Sequence, residues 1–208
     1  VGLTIGEGLD LFQADALRYA LAASLPEQSD TDLSVEEIGR RINEELVATW
    51  GNLVNRVLSM VHRTCDGAVP TADGRTVDDL ALLEAVDEAL ATVTTQIQRV
   101  ELRAALRTGM GAAAAVNAYL NAMEPWKLAK ADTDRARVVL GTALAAVSGV
   151  RVALAPYLPF STVALDDVLG PVEGWERREP QPGSPVGKPT PLFAKVDLDM
   201  LLSDRDDG

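Results

Sequence analysis

The sequence predicts an all-α protein, an antiparallel helical bundle followed by an extended, proline-rich C-terminal arm. Three observations support this prediction. Apolar residues recur every three to four positions through most of the first 160 residues, which is the period of a helix with one buried face. Helix-capping residues mark the starts of several of these segments. Six of the eleven prolines fall between Pro171 and Pro191, where a regular helix cannot be sustained.

The first predicted helix spans about residues 10–23 and ends before a polar connector at residues 25–30. The second begins at Ser34, because a serine followed three residues later by a glutamate, Glu37, forms a capping box. On a helical wheel of 100° per residue, its apolar side chains form one stripe and its polar side chains lie about 100° away. The stripe contains Ile38, Ile42, Leu46, Trp50, Leu53, Val57 and Val61, and the polar flank contains Glu45, Asn52, Arg56, Ser59 and Arg63.

A loop is predicted for residues 66–75, which contain two glycines, a proline and two aspartates. Thr76 and Asp79 then open a third helix, whose apolar residues alternate steps of three and four as in packed antiparallel helices. No strong helix breaker precedes Leu102. Whether the third helix continues into the alanine-rich helix that ends at Met123 is therefore left open.

Asp132 is the predicted N-cap of the next long helix, which runs to Pro156, and Ser161 is predicted to start a short last helix. After Gly170 the proline content predicts an extended arm. Trp175 and the run 191–193 are its candidate anchors. We expect the arm to be loosely held, so that its deletion leaves the melting of the bundle nearly unchanged.

The charge of the chain is unevenly distributed. The formal net charge of −12 argues against a protein that coats nucleic acid through bulk attraction. Residues 38–63, however, carry a net charge of +2 and residues 99–137 a net charge of +3, so that the remainder carries −17. The positive charge is concentrated in the segments that contain Arg56 and Trp126.

The single cysteine, Cys65, excludes an internal disulfide framework and fits a reducing cytoplasm. The single histidine, His62, has no second histidine or cysteine with which to form a metal site, so a surface or capping role is expected. No apolar run approaches the ~20 residues that span a bilayer. We therefore expect a cytoplasmic protein that holds no metal and has no membrane partner.

A tryptophan directly follows a helix-stopping proline. Pro125 disfavours helical geometry at Glu124, so the helix must end there and Trp126 lies in the turn that follows. Lys127 and Lys130 place two cations beside the ring. A flat aromatic face next to positive charge is what single-stranded nucleic acid binds. From these residues alone, a structural ring packed under the loop is the commoner alternative.

A second polar pair strengthens the nucleic-acid interpretation. Asn52 and Arg56 are four residues apart and share one helix face. Their segment, residues 40–56, resembles part of bacterial methionyl-tRNA synthetase, as do residues 117–130. Residues 14–19 and 191–197 extend the resemblance, which runs in order along nearly the whole chain and covers the C-terminal part of that family.

The resemblance implies a division of the chain into three parts. Residues 1–30 correspond to the last helix of the catalytic domain and its connector. Residues 31–170 correspond to a helical anticodon-binding domain of the class I synthetase type. Residues 171–208 correspond to an arm that folds back toward the catalytic domain.

The resemblance also implies a site and a partner. Asn52, Arg56 and Trp126 would contact the CAU anticodon of methionine tRNA. Arg63, Lys127 and Lys130 are candidate phosphate contacts, although a solvated face explains the two lysines equally well. The expected partners are methionine tRNA and the catalytic domain of the same enzyme, covalently joined or in trans, and not DNA.

Catalysis is not expected from this chain. Class I synthetases of this kind carry a His-Ile-Gly-His type motif and a Lys-Met-Ser-Lys-Ser type loop. The chain has one histidine, and its four lysines do not form the second pattern. We therefore expect no catalytic residue and no cofactor here, no formation of methionyl adenylate, and binding of ATP and methionine by a catalytic domain outside this sequence.

Two alternatives remain open. The nearer is the anticodon-binding bundle of another class I synthetase, such as a valine, leucine or cysteine enzyme. The Glu-Pro-Trp-Lys run and the pair Asn52 and Arg56 argue against it. The more distant alternative is a stand-alone helical interaction protein without an RNA partner, which the acidic total charge would suit.

Overall fold

The computed structural model describes residues 4–25, 33–199 and 201, and within these residues the fold is all-α, as predicted. The predicted connector, apart from Leu25, lies outside the described residues. The helices are α1 (Ile5–Leu11), α2 (Ala14–Ala23), α3 (Val35–Arg41), a π-helical segment (Ile42–Gly51), α4 (Asn52–Thr64), α5 (Val77–Gln98), α6 (Leu102–Met123), α7 (Pro125–Ala131), α8 (Thr133–Leu154), α9 (Pro159–Val163) and α10 (Asp166–Leu169).

Three predicted helix starts are confirmed by their hydrogen bonds. The fourth is wrong, because Ser161 lies inside α9, which begins at Pro159, a residue that fits the first turn of a helix. The Ser34 hydroxyl accepts a hydrogen bond from the Glu37 N–H at 3.1 Å. The Asp79 carboxylate accepts from the Thr76 N–H at 2.7 Å. Asp132 accepts from a backbone N–H one turn into α8 at 3.0 Å. Each bond satisfies a backbone donor that has no partner within the helix, so these side chains set where the helices begin.

Helix α8 is the centre of the bundle. It packs against α4, α5, α6 and α7, and every residue from Val139 to Leu154 is buried. Close packing depends on small residues, since a Cβ at Gly149 would lie 2.5 Å from the side chain of Val86 on α5. By length and composition α8 would also suit a membrane span, although no such span was expected from the sequence. Because 89% of its apolar stretch is buried in the bundle, it has the environment of a core helix.

Two helix boundaries in the structure differ from the prediction or resolve what it left open. The first predicted helix is divided into α1 and α2, because Phe12 adopts extended backbone (φ −130°, ψ 148°) and its side chain is buried. The break that the sequence left open occurs before Leu102. There Val100 has a left-handed backbone (φ 60°) and an exposed side chain, so α5 and α6 are separate antiparallel helices.

The second predicted helix is not α-helical throughout. Its middle part, Ile42–Gly51, is wound as a π-helix, in which each backbone N–H bonds five residues back. At the exit, the Asn52 N–H donates to the carbonyl of Val47. The predicted apolar stripe from Ile38 to Val61 is nevertheless buried. The π winding therefore preserves the buried face while changing the angular position of the polar residues.

From residue 171 to 197 the arm contains no helix, as predicted, whereas Leu198, Asp199 and Leu201 are helical and residues 200 and 202–208 lie outside the described residues. The expectation that the arm is loosely held is wrong. Its backbone pairs with the loop after α4, where the Val69 N–H donates to Ser184 at 2.9 Å and the Val186 N–H donates to Gly67 at 2.7 Å. Val186 is 2% exposed and Phe193 5%. These apolar side chains complete the core of the bundle, which is why the arm is attached to it.

Candidate nucleic-acid interface

Trp126 lies at the junction of α6 and α7. Glu124 ends α6 in a left-handed conformation (φ 45°), and Pro125 occupies the first turn of α7, where its missing N–H costs nothing. The sequence placed Trp126 in a turn. It lies instead in the first turn of a seven-residue helix, because the left-handed Glu124 allows a new helix to start at once. The ring is 38% exposed.

Arg56 covers this ring from α4. Its guanidinium carbon lies 4.7 Å from the ring centroid, within the range of a cation–π interaction. Its Nη2 donates to the side-chain oxygen of Asn121 on α6 at 3.0 Å. Three helices thus supply one cluster of Arg56, Asn121 and Trp126. Asn121 was not predicted from the sequence, although it lies one turn before Pro125 within residues 117–130, which resemble the family.

Asn52 is the first residue of α4 and is exposed, one turn before Arg56. Three residues before Asn52, the carbonyl of Thr49 accepts a hydrogen bond from the Asn117 side chain on α6 at 3.0 Å. This bond ties α6 to the end of the π-helical segment. It therefore helps to set the distance between the helix that carries Asn52 and the helix that leads to Trp126.

The three candidate phosphate contacts differ in their surroundings. The Arg63 Nε donates to the Ser59 carbonyl on its own helix at 3.2 Å. The Lys127 ammonium is paired with the Glu124 carboxylate at 2.7 Å, although its side chain is 69% exposed. Lys130 is exposed at the end of α7. The ion pair at Lys127 reduces the positive charge beside Trp126, which leaves Arg56 as the cation in contact with the ring.

A buried ionic network supports the junction that carries the ring. Asp79 is fully buried and accepts hydrogen bonds from Tyr119 and Arg135, in addition to its bond from Thr76. Arg135 also reaches the sulfur of Met123, the last residue of α6. Asp79 had been identified only as a helix cap. Its wider role depends on residues that are distant in sequence.

The network has a clear electrostatic consequence. Burial raises the pKa of the Asp79 carboxyl group, but the hydrogen bonds from Arg135, Tyr119 and Thr76 outweigh burial and lower this pKa to about 2. Burial and the neighbouring carboxylate raise the pKa of the Tyr119 hydroxyl. At neutral pH Asp79 is therefore ionised and Tyr119 is protonated. These protonation states preserve the hydrogen bonds that join α5, α6 and α8 next to Met123, the last residue of α6.

The described residues offer little to a metal ion. In the part of the chain that the structure describes, no group of three or more histidine, cysteine or carboxylate side chains is placed to hold a metal. His62 is exposed, and its Nδ1 lies 3.1 Å from the carbonyl of Val186 in the arm. The histidine therefore has a surface position next to the arm.

Comparison with known protein families matches two ranges of the chain. Residues 1–58 match the family of class I tRNA synthetases (M), and residues 69–201 match the anticodon binding domain of methionyl tRNA ligase. Arg56 falls in the first range and Trp126 in the second. The cluster is therefore assembled from both matched ranges.

Curated relatives and solved structures give the same family. The methionine–tRNA ligase of Roseiflexus castenholzii is 38% identical over 90% of this chain and 37% of its own length. That of Thermobifida fusca is 37% identical over 97% of this chain and 39% of its own length. The apo structure of Mycobacterium tuberculosis methionyl-tRNA synthetase superposes with a TM-score of 0.85 at 29% identity, covering 93% of this chain and 41% of the other. The chain spans about two fifths of these relatives. It belongs to the methionyl-tRNA ligase family and contains the anticodon-binding domain of that family.

Proposed function

We propose that this chain recognises the anticodon loop of methionine tRNA at the cluster of Arg56, Asn121 and Trp126, together with Asn52, which lies one turn before Arg56 on α4. The observation that supports this most strongly is the stack of Arg56 on a partly exposed Trp126. A ring whose remaining surface is open offers an unpaired base a stacking platform, and stacking of this kind contributes ~1 to 3 kcal/mol per base.

Asn52 and Arg56 supply the polar part of the recognition. The exposed amide of Asn52 offers one acceptor and two donors to a base edge. Arg56 can bond a base or a phosphate, and Asn121 already holds its guanidinium in place at 3.0 Å. A wrong base would leave one of these groups desolvated and without a partner, at a loss of ~1 to 3 kcal/mol. Such a loss would allow the site to discriminate between anticodon bases, and the preference for CAU is proposed because the chain contains the anticodon binding domain of methionyl tRNA ligase.

The charge of the chain is consistent with such a local mode of binding. A net charge of −12 gives little general attraction for RNA, and Lys127 is partly neutralised by Glu124. Recognition would therefore rest on stacking and base-edge bonds more than on many phosphate contacts. We further propose that the tRNA-bound chain works with a catalytic domain, covalently joined or in trans, which binds ATP and methionine.

A binding experiment with two anticodon stem-loops tests the proposal. The first stem-loop carries CAU and the second differs only in the first anticodon base. Wild-type protein should bind the CAU stem-loop about tenfold or more tightly, which corresponds to the loss of one well-formed polar contact. Equal affinity for the two stem-loops, or no binding to either by folded protein, would overturn the proposal.

A further inference from the structure

Residues 193–196 of the arm lie against the π-helical segment, which ends at Gly51, directly before Asn52. Phe193 is 5% exposed, and a Cβ placed on Gly51 would lie 3.2 Å from its ring. The ring therefore packs against the helix backbone at the last residue of the π-helical segment. A side chain at position 51 would press on this contact.

The first turn of the same segment is held by two hydrogen bonds. The Asn43 amide nitrogen donates to the Val196 carbonyl at 2.8 Å, and its oxygen accepts from the Val196 N–H, also at 2.8 Å. One side chain thus pairs with the arm backbone as a neighbouring strand would. On α3, a Cβ at Gly39 would lie 2.5 Å from Leu198, so the arm also packs closely there. The arm contacts both ends of the π-helical segment.

The winding of this segment determines the direction of the residues that follow it. The Asn52 N–H bonds five residues back to Val47, whereas in an α-helix it would bond to Ala48. If the segment rewound as a regular α-helix, the one residue that the π winding accommodates in excess would rotate all following residues by about 100° around the helix axis. Such a rotation would carry Arg56 away from Trp126, whose ring centre now lies 4.7 Å from its guanidinium carbon.

We propose that Phe193 and Asn43 are positioning residues for anticodon recognition, which hold the π-helical segment in the register that places Arg56 over Trp126, with Asn52 one turn before Arg56. Both act through the helix backbone, one at each end of the segment. The link to anticodon recognition rests on the proposed function, whereas the control of helix register does not depend on it.

The test compares two variants with a matched control. Phe193→Ala removes the ring from Gly51, and Asn43→Ala removes both bonds to Val196. The control, Trp175→Ala, alters an arm residue that bonds to Leu90 on α5. Two quantities are measured for each protein: the amide hydrogen exchange of residues 47–56, and the ratio of affinities for the CAU stem-loop and the stem-loop with a changed first base.

Both test variants should speed exchange of residues 47–56 about tenfold, because the constraint on local opening is removed. Both should also lose most of the CAU preference. The control should keep wild-type exchange in this segment and wild-type preference. A reduced melting temperature alone would not produce this pattern, since Trp175→Ala also weakens attachment of the arm.

Each other result is equally decisive. Unchanged exchange in either test variant overturns the control of register by that residue, whatever happens to RNA binding. Faster exchange with an intact CAU preference overturns the link to recognition. If wild type shows no CAU preference, the proposed function fails, while exchange still decides whether the arm fixes the register. Should Phe193→Ala not fold, Phe193→Leu and Asn43→Ala provide the same comparison.

Discussion

The guanidinium of Arg56 lies 4.7 Å from the centre of the Trp126 ring, and the two residues are 70 positions apart in the chain. Arg56 follows the π-helical segment, whereas Trp126 follows the proline that begins α7. The contact joins a planar cation to a partly open aromatic surface. Each side chain thereby limits the rotamers of the other before any ligand arrives, which reduces the entropy that binding must overcome.

The first prediction concerns the planar shape of Arg56. Arg56→Lys keeps the charge but removes the guanidinium that stacks on Trp126 and bonds to Asn121. We expect affinity for the CAU stem-loop to fall roughly fivefold to tenfold, as for a loss of ~1 to 1.4 kcal/mol. The slope of log affinity against log salt should not change, because the number of charges is unchanged. Wild-type affinity in Arg56→Lys would show that only the charge is used.

The second prediction concerns Asn121, which holds Arg56 at 3.0 Å. Asn121→Ala frees the guanidinium without removing it. Affinity for the CAU stem-loop should fall roughly twofold to tenfold, the equivalent of one hydrogen bond of ~0.5 to 1.5 kcal/mol. Because Asn121 is exposed, the melting temperature should hardly change. A large drop in melting temperature with intact RNA binding would assign Asn121 to the fold instead.

The third prediction concerns the acid sensitivity of the bundle. The pKa of Asp79 is about 2 in the folded protein, compared with an ordinary value of 3.8. A lowered folded-state pKa means that its contribution is complete above about pH 4 and is lost as the pH falls toward 2. About 2 kcal/mol of unfolding free energy should disappear in this window.

Urea unfolding of wild type and Asp79→Asn at several pH values measures this contribution. The variant should be less stable at neutral pH and should show a smaller decline between pH 4 and pH 2. Parallel curves for the two proteins in this window would contradict the role of Asp79.

The fourth prediction concerns the arm. Deleting residues 171–208 removes Val186 and Phe193, each of which contributes ~1.5 to 3 kcal/mol by burial. The melting temperature should fall by roughly 6 to 24 °C, because each kcal/mol of lost stability lowers it by ~2 to 4 °C in a chain of this size. A decrease of less than about 2 °C would contradict the stabilising contribution of these two buried side chains.

The sequence predicted what depends on local chemistry. Ser34, Thr76 and Asp132 are found at helix starts, because capping requires only a side-chain oxygen and a nearby N–H. The apolar stripe from Ile38 to Val61 is buried, since periodicity directly reflects which face meets the core. The pairing of Arg56 with Trp126 could be anticipated only from the family resemblance.

Features that depend on distant parts of the chain were missed. The π-helical segment was read as α-helix, although a signal was present: the steps from Ile38 to Trp50 are all four residues long. At 3.6 residues per turn these steps drift by about 120°, which a wider winding reduces. The attachment of the arm was missed because Phe193 and Val196 find their partners more than 140 residues away in sequence, at Gly51 and Asn43. The role of Asn52, Arg56 and Trp126 in RNA binding stays a prediction.

The most direct measurement compares two tryptophans that are similarly exposed, Trp126 at 38% and Trp175 at 41%. Affinity for the CAU stem-loop is measured for wild type, Trp126→Ala and Trp175→Ala, with thermal melting to confirm that each protein is folded. Trp126→Ala should bind roughly 5- to 150-fold more weakly, the equivalent of ~1 to 3 kcal/mol of lost stacking, and Trp175→Ala should bind like wild type. Equal affinity of all three folded proteins, or an equal loss in the two variants, would contradict recognition of the anticodon at Trp126.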